Sequence, residues 1–145
     1  MEKVVLDILI IDDDIGILES LKKSLERLGY RCKVINNAED ALKLYKKEKF
    51  DVVLTDIQLP GMNGMELIQH LYHYDKDIKV IVITVLQDFE LIGSDAIKNI
   101  YGYFDKPINF FKLVEKLEKI ENEFKTYSKS RNSNLKNFKK ENKAD

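Results

Sequence analysis

The chain has 145 residues, with 24 basic and 25 acidic side chains and a formal net charge of −1. This length predicts one domain, and the single cysteine excludes an internal disulfide framework or a zinc cluster built on thiolates. The sequence has no apolar run of membrane-spanning length and no secretory leader, so we expect a cytoplasmic protein without membrane insertion.

The charge is unevenly distributed along the chain. Residues 1–120 carry a net charge of −4, and residues 121–145 carry +3. The last twenty residues are rich in Lys, Asn and Ser, with too few apolar side chains to offset the entropy of ordering them. We predict a domain over residues 1–125 and a Lys/Asn-rich tail or linker over residues 126–145. A solvated tail is favoured, and continuation of the last helix is the alternative.

Short, β-branched apolar runs predict five strands. Three of them are nearly continuous, which is typical of parallel strands buried on both faces. The predicted strands are Val4–Ile11, Tyr30–Ile35, Val52–Thr55, Ile78–Ile83 and Tyr101–Phe104.

Apolar positions at three- and four-residue steps predict a helix after each strand. Gly29 lies where a helix is expected to stop, and Asn37 is a candidate N-cap. The predicted helices cover Ile17–Leu28, Ala38–Tyr45, Met65–Tyr72, Phe89–Lys98 and Phe110–Phe124. Five successive β–α units indicate an α/β fold with a doubly wound parallel sheet and helices on both faces.

Polar residues follow four of the predicted strands. They are the triplet Asp12–Asp14, Asp56, Thr84 and Lys106. In open α/β sheets, ligands bind beyond the carboxyl ends of the strands. For the triplet, the alternative is a helix N-terminus, where negative charge is favoured, and Asp14 fits it best.

The composition of this set predicts chemistry with phosphate. Clustered carboxylates need a neutralising cation, and Mg²⁺ prefers carboxylate oxygens together with phosphate and water. An ammonium and a hydroxyl at the same edge suit a phosphoryl group. The set therefore indicates phosphoryl transfer with a carboxylate as nucleophile.

Four segments resemble the receiver domain of bacterial two-component response regulators, in that family's order and spacing. They are residues 8–14 (ILIIDDD), 51–64 (DVVLTDIQLPGMNG), 81–84 (IVIT) and 103–107 (YFDKP). The resemblance covers residues 4 to about 122. It implies a flavodoxin-like fold with strand order 2-1-3-4-5 and five surrounding helices. It also implies a phosphorylation-dependent switch that takes part in its own phosphorylation and dephosphorylation, and not an enzyme acting on other substrates.

The resemblance implies a phosphoacceptor and a metal site. Asp56 would accept phosphate from a sensor histidine kinase or a phosphotransfer protein. Asp12, Asp13 and Asp56 would bind Mg²⁺ together with the backbone carbonyl of Gln58.

Further roles follow from the same resemblance. Lys106 would pair with the phosphoryl oxygens, and its bond to Pro107 is expected to be cis. Thr84 would donate its hydroxyl to the phosphate, and Tyr103 would turn inward as Thr84 is drawn toward the phosphate. The signal would pass to a downstream target or output domain, or to a phosphorylation-dependent homodimer.

One departure from the family pattern concerns turnover. Val85 stands where the family commonly has a small residue, and Gln58 and Leu86 lie where it tunes hydrolysis of the acyl phosphate. We hypothesise that Val85 and Leu86 restrict the attacking water and prolong the phosphorylated state.

Two alternative functions belong to other classes. A phosphatase of the haloacid dehalogenase type also uses an aspartate nucleophile, but the segment after the first strand does not supply its Asp-x-Asp and threonine pattern. A phosphate-independent adaptor with a retained acidic pocket is the other alternative. Specific nucleic-acid binding is not predicted, because the basic tail has few aromatic residues and no helix-turn-helix pattern.

Overall fold

The computed structural model describes residues 5–85 and 100–143, and the side chains among them up to residue 126. Val5–Asn109 forms one compact unit, and the segment from Phe110 onward belongs to a second. None of the described helices has an apolar stretch of the length needed to cross a bilayer.

The first unit contains a five-stranded sheet. Its strands are β1 (Asp7–Ile11), β2 (Arg31–Ile35), β3 (Val52–Thr55), β4 (Lys79–Thr84) and β5 (Gly102–Asp105). All neighbouring strands are parallel, and their order is β2-β1-β3-β4-β5. The predicted fold class and strand order are confirmed.

The burial of each strand follows its place in the sheet. Every residue of β3 is buried, as is every residue of β1 and β4 after the first. The outer strands β2 and β5 are only partly buried, because each has one neighbour. Continuous apolar runs therefore lie in the centre of the sheet, as expected for parallel strands covered on both faces.

Four helices lie in the described residues. They are α1 (Ile15–Arg27), α2 (Ala38–Lys47), α3 (Gly64–Tyr74) and α4 (Phe110–Lys143). The helix predicted over Phe89–Lys98 lies outside the described residues. The described part of the chain therefore has four of the five predicted helices. The backbone of α4 stays helical to Lys143, which is the alternative to the favoured solvated tail. The domain boundary near residue 125 stays a prediction.

Local signals account for the helix ends. The Asn37 side chain caps α2 by accepting from the Asp40 N–H, and Gly29 ends α1 with a φ of 98°, so both sequence predictions hold. Left-handed backbone at a helix C-terminus favours glycine, which has no Cβ to crowd the carbonyl.

A shared hydrophobic core holds α2 and α3 against the sheet. It combines residues of β1, β3 and β4 with inward-facing residues of both helices, among them Leu9, Ile11, Ala41, Tyr45, Val53, Leu67, Leu71, Val80 and Val82. Cys32 is buried in β2, and burial raises the pKa of its thiol to about 12. Cys32 is therefore a small core residue.

Candidate functional site

The site lies where β1 and β3 end side by side. The register pairs Ile11 with Thr55, so the next residue of each strand, Asp12 and Asp56, reaches the same edge of the sheet. Backbone bonds continue the ladder past the strand ends, from Asp12 N to Ile35 O and from Asp56 N to Ile11 O. This is the point where the strand order reverses, the usual ligand position in such sheets.

Three carboxylates converge at this edge. One oxygen from each of Asp12, Asp13 and Asp56 lies within 4.8 Å of the other two. Asp12 and Asp56 are only 3% and 6% exposed, whereas Asp13 faces solvent. A set of oxygen donors with an open side fits a hard divalent cation that keeps some of its water.

The third acid of the triplet has a different role. Asp14 is the N-cap of α1, and its Oδ1 accepts from the N–H groups of Gly16 (2.9 Å) and Ile17 (3.3 Å). The two interpretations of the triplet therefore apply to different residues: Asp12 and Asp13 join the carboxylate cluster, and Asp14 caps the helix.

Lys106 supplies positive charge between the buried aspartates. Its Nζ donates to Asp12 Oδ2 at 2.8 Å and to Asp56 Oδ2 at 2.7 Å. Burial lowers the pKa of this ammonium, but the hydrogen bonds and negative charges of the two carboxylates outweigh that effect and leave the pKa raised. Lys106 therefore stays protonated and neutralises part of the cluster. The bond between Lys106 and Pro107 is cis.

Thr84 ends β4 beside β5, and its carbonyl accepts from the Lys106 N–H at 3.0 Å. Its side chain is fully buried, and Oγ1 is the one buried side-chain polar atom in the described part of the chain without a hydrogen-bond partner. Leaving a buried hydroxyl unpaired costs about 1–3 kcal/mol. Buried polar groups without a partner are rare in folded proteins, and this one belongs to the residue whose carbonyl bonds the Lys106 backbone.

The loop between β3 and α3 forms one wall of the site. The Gln58 N–H donates to Asp56 Oδ1 at 3.2 Å, and the Gly64 N–H donates to the Ile57 carbonyl at 2.8 Å. A Cβ on Gly64 would overlap the carbonyl oxygen of Asp56 and lie 2.7 Å from the Ile57 Cα. Glycine is therefore needed for the start of α3 to approach this loop.

An open groove of about 590 Å³ borders the carboxylate cluster. It is lined by Asp13, Ile57, Gln58, Leu59, Pro60, Asn63 and Met65. The groove gives solvent and small molecules a path to the exposed side of the cluster.

Of the remaining predicted site residues, two are partly exposed and one lies outside the described residues. Tyr103 on β5 is 47% exposed, and Val85, directly after Thr84, has the same exposure. Leu86 lies outside the described residues.

The sequence interpretation missed the contact that Glu39 makes with the β3–α3 loop. Its Oε1 accepts from the Met62 N–H at 2.7 Å. The two residues are 23 positions apart, and no local motif links them.

The strand order and the pocket at the β1–β3 switch point place the chain in the flavodoxin-like class of doubly wound domains. Within that class it belongs to the response regulator receiver domain family, whose model matches residues 8–118. The chain is thus a signalling module of the two-component type, a phosphorylation-dependent switch. The family resemblance predicted from the sequence is confirmed.

Curated relatives agree with this assignment. The sporulation initiation phosphotransferase F of Bacillus subtilis is 30% identical over 112 residues, which cover 77% of this chain and 90% of that protein. A two-component response regulator of Arabidopsis thaliana is 40% identical over 105 residues, 71% of this chain. The chain spans only 28% of that regulator, and 26% of the transcriptional regulator NtrC of Proteus hauseri.

Solved structures show the same fold. The response regulator TrrA of Thermotoga maritima, determined in complex with Mg²⁺ and BeF, is 32% identical with a TM-score of 0.73. The alignment covers 80% of this chain and 99% of that one.

Proposed function

We propose that Asp56 is the phosphoacceptor of this receiver domain and that Asp12, Asp13 and Asp56 hold Mg²⁺ with the Gln58 backbone carbonyl. The observation that carries the proposal is the Lys106 ammonium, which bonds Asp12 and Asp56, two of the three clustered carboxylates. The related domain from Thermotoga maritima, solved with Mg²⁺ and a beryllium fluoride, supports the choice of metal and phosphate chemistry.

The proposed reaction is transfer from a phosphohistidine. A carboxylate oxygen of Asp56 attacks phosphorus, the P–O bond forms, and the P–N bond breaks with its electron pair returning to the imidazole, which takes up a proton. Bound Mg²⁺ supplies positive charge to the transferred phosphoryl oxygens. The Lys106 ammonium, which already donates to Asp56 Oδ2, would stabilise the same negative charge.

The proposed switch starts at Thr84. Phosphorylation adds about −1.5 to −2 charges at neutral pH, and the unpartnered Thr84 hydroxyl can then donate to a phosphoryl oxygen. This interaction exists only in the phosphorylated state, and such a difference is required for a population shift. Tyr103 turning inward would carry the change to the surface of β5.

The partners follow from this chemistry. The phosphoryl donor would be a sensor histidine kinase or a phosphotransfer protein in the cytoplasm. The signal would pass from this domain to a downstream target, an output domain or a second copy of the chain. Half-buried Phe104 and Ile108, and Phe111 at 82% exposure, are apolar residues available for such contacts.

Turnover of the phosphorylated state is the second part of the proposal. The exposed Val85 side chain directly follows Thr84, and Gln58 lines the groove beside the cluster. We propose that Val85, Leu86 and Gln58 set the rate of water attack. Unchanged dephosphorylation rates in both Leu86→Ala and Gln58→Ala would contradict this.

Phosphorylation by a small phosphodonor tests the main proposal. With Mg²⁺ and acetyl phosphate, intact mass should rise by one phosphoryl group in the wild type and stay unchanged in Asp56→Asn. Asp14→Asn, which changes the same charge two residues from Asp12 and keeps a capping side chain, should be phosphorylated normally. Repeated hydrolysis of a phosphomonoester would instead indicate a phosphatase, and an unmodified wild type would indicate an adaptor.

A further inference from the structure

A carboxylate on α2 lies against the loop that follows the acceptor strand. Glu39 belongs to the first turn of α2, and its Oε1 accepts from the Met62 backbone N–H at 2.7 Å. Gly61 has a φ of 74°, and a Cβ there would lie 2.6 Å from Glu39 Oε1. The absence of a side chain at Gly61 is what lets the carboxylate reach the turn.

The same loop carries the proposed metal-binding carbonyl. Two contacts close to the site hold it: the Gln58 N–H bonds Asp56, and the Gly64 N–H bonds the Ile57 carbonyl. The turn over residues 60–62, which lies between these contacts in the chain, is bonded to Glu39 of α2. Glu39 therefore links the turn to a helix of the scaffold.

We propose that Glu39 is a positioning residue for the metal site, acting through the β3–α3 loop. The inference rests on the proposed function, because it requires the Gln58 carbonyl to be a ligand. A backbone carbonyl binds a cation well only if its loop is already ordered, since ordering the loop on binding costs conformational entropy. A hydrogen bond that a carboxylate accepts is stronger than one between neutral groups, so this bond orders the turn in advance.

The predicted consequence is weaker metal binding when the bond is lost. Removing one ordering contact of this strength should raise the Mg²⁺ dissociation constant about three- to tenfold. Glu39→Ala removes the acceptor, whereas Glu39→Gln loses the charge but keeps an oxygen that can accept from the Met62 N–H. Asp40→Ala is the matched control, because it removes the same charge from the same helical turn, where Asp40 bonds Asn37.

Titration calorimetry with Mg²⁺ alone, on the full chain, is the primary measurement. We expect a three- to tenfold weaker dissociation constant for Glu39→Ala, a value for Glu39→Gln between those of Glu39→Ala and the wild type, and a change below twofold for Asp40→Ala. The rate of phosphorylation by acetyl phosphate gives a second readout. Glu39→Ala should need more Mg²⁺ to reach half its maximal rate, while the rate at saturating Mg²⁺ stays at the wild-type value.

Each contrary outcome has a defined meaning. Wild-type Mg²⁺ affinity in Glu39→Ala would overturn the inference, as would equal weakening in Asp40→Ala, which would point to general electrostatics. A wild type that binds Mg²⁺ but is never phosphorylated would refute the proposed function and leave the calorimetric test of Glu39 intact. A wild type that binds no Mg²⁺ would overturn both. Thermal unfolding of each variant shows that the comparison is between folded proteins.

Discussion

At the scale of single residues, Lys106 explains how two buried carboxylates are tolerated next to each other. Asp12 and Asp56 each accept a hydrogen bond from the Lys106 ammonium through one carboxylate oxygen. Each accepts a nearby backbone N–H through its other oxygen. Buried charges are stable only when they are paired and hydrogen-bonded. The same ammonium is therefore both a structural counter-ion and the proposed partner of the phosphoryl group.

The unpaired hydroxyl of Thr84 leads to a prediction about stability. Thr84→Val has nearly the same shape and removes a buried oxygen that lacks a partner, so the unphosphorylated protein should be as stable as the wild type or about 1 kcal/mol more stable. Urea unfolding measures this. Thr84→Ser, which keeps the hydroxyl and loses a buried methyl group, should lose up to about 1 kcal/mol. A destabilised Thr84→Val would mean that the hydroxyl is already satisfied in the unphosphorylated state.

The second prediction concerns Asp14, which caps α1 and does not belong to the carboxylate cluster that contains its two acidic neighbours. Asp14→Ala should lower the free energy of unfolding by about 1 kcal/mol, because the cap of α1 is lost, while Asp14→Asn should stay close to the wild type. Neither variant should change Mg²⁺ affinity more than twofold, in contrast to Asp13→Ala. Tenfold weaker Mg²⁺ binding in Asp14→Asn would show that this side chain belongs to the metal site.

At the scale of elements, the β3–α3 connection is the most constrained part of the site. It brings the N-terminus of α3 against the backbone of Asp56 and Ile57, and it joins a fully buried strand to a helix whose inner face is buried. Because packed interiors leave few gaps, such a close approach leaves no room for a methyl group.

Gly64→Ala should therefore destabilise the protein by about 2 kcal/mol or more, as expected for overpacking against backbone atoms. Gly29→Ala is the control, because a Cβ there meets no atom within 4 Å. This variant should lose only the stability that a positive φ costs a residue with a side chain, about 1 kcal/mol. Chemical unfolding of both variants compares the two costs. Equal losses would show that the start of α3 can move away from Asp56 without penalty.

At the scale of the whole molecule, burial and charge along α4 bear on where the domain ends. On α4, Leu113, Leu117 and Ile120 are fully buried, whereas Lys125 and Thr126 are exposed. The charge of the chain also changes sign in this part of the sequence.

A chain cut after residue 125 should fold and keep its Mg²⁺ affinity. We expect its thermal midpoint to lie within about 3 °C of the full chain, a shift that corresponds to less than about 1 kcal/mol for a domain of this size. Calorimetry and thermal unfolding check both statements. Loss of a cooperative transition would place the domain boundary further along α4.

The sequence predicted the elements well because their signals are local. Short apolar runs, three of them nearly continuous, predicted all five strands with each end within one residue, apart from the start of β1, which was predicted at Val4 and lies at Asp7. The caps at Asn37 and Gly29 follow from the chemistry of a helix end. The candidate site could also be proposed, because parallel strands bring their carboxyl ends to one edge of a sheet.

The length of the last helix was less predictable. Residues 126–145 favour a solvated tail by composition, but the backbone of α4 is helical to Lys143. Composition measures how much apolar surface a segment can bury, and helix formation also depends on propagation from a turn that is already formed. A helix that begins at Phe110 needs no new nucleus to continue.

By itself, then, the sequence determined the fold class, the strand order expected from the family, and the identity of the acids, hydroxyl and lysine at the strand ends. Only the tertiary structure decided that one lysine bonds two carboxylates 44 positions apart and that Glu39 holds a distant turn. The physical reason is that periodicity and capping act over a few residues. A hydrogen bond between distant side chains depends on strand register and helix packing, which the folded chain alone sets.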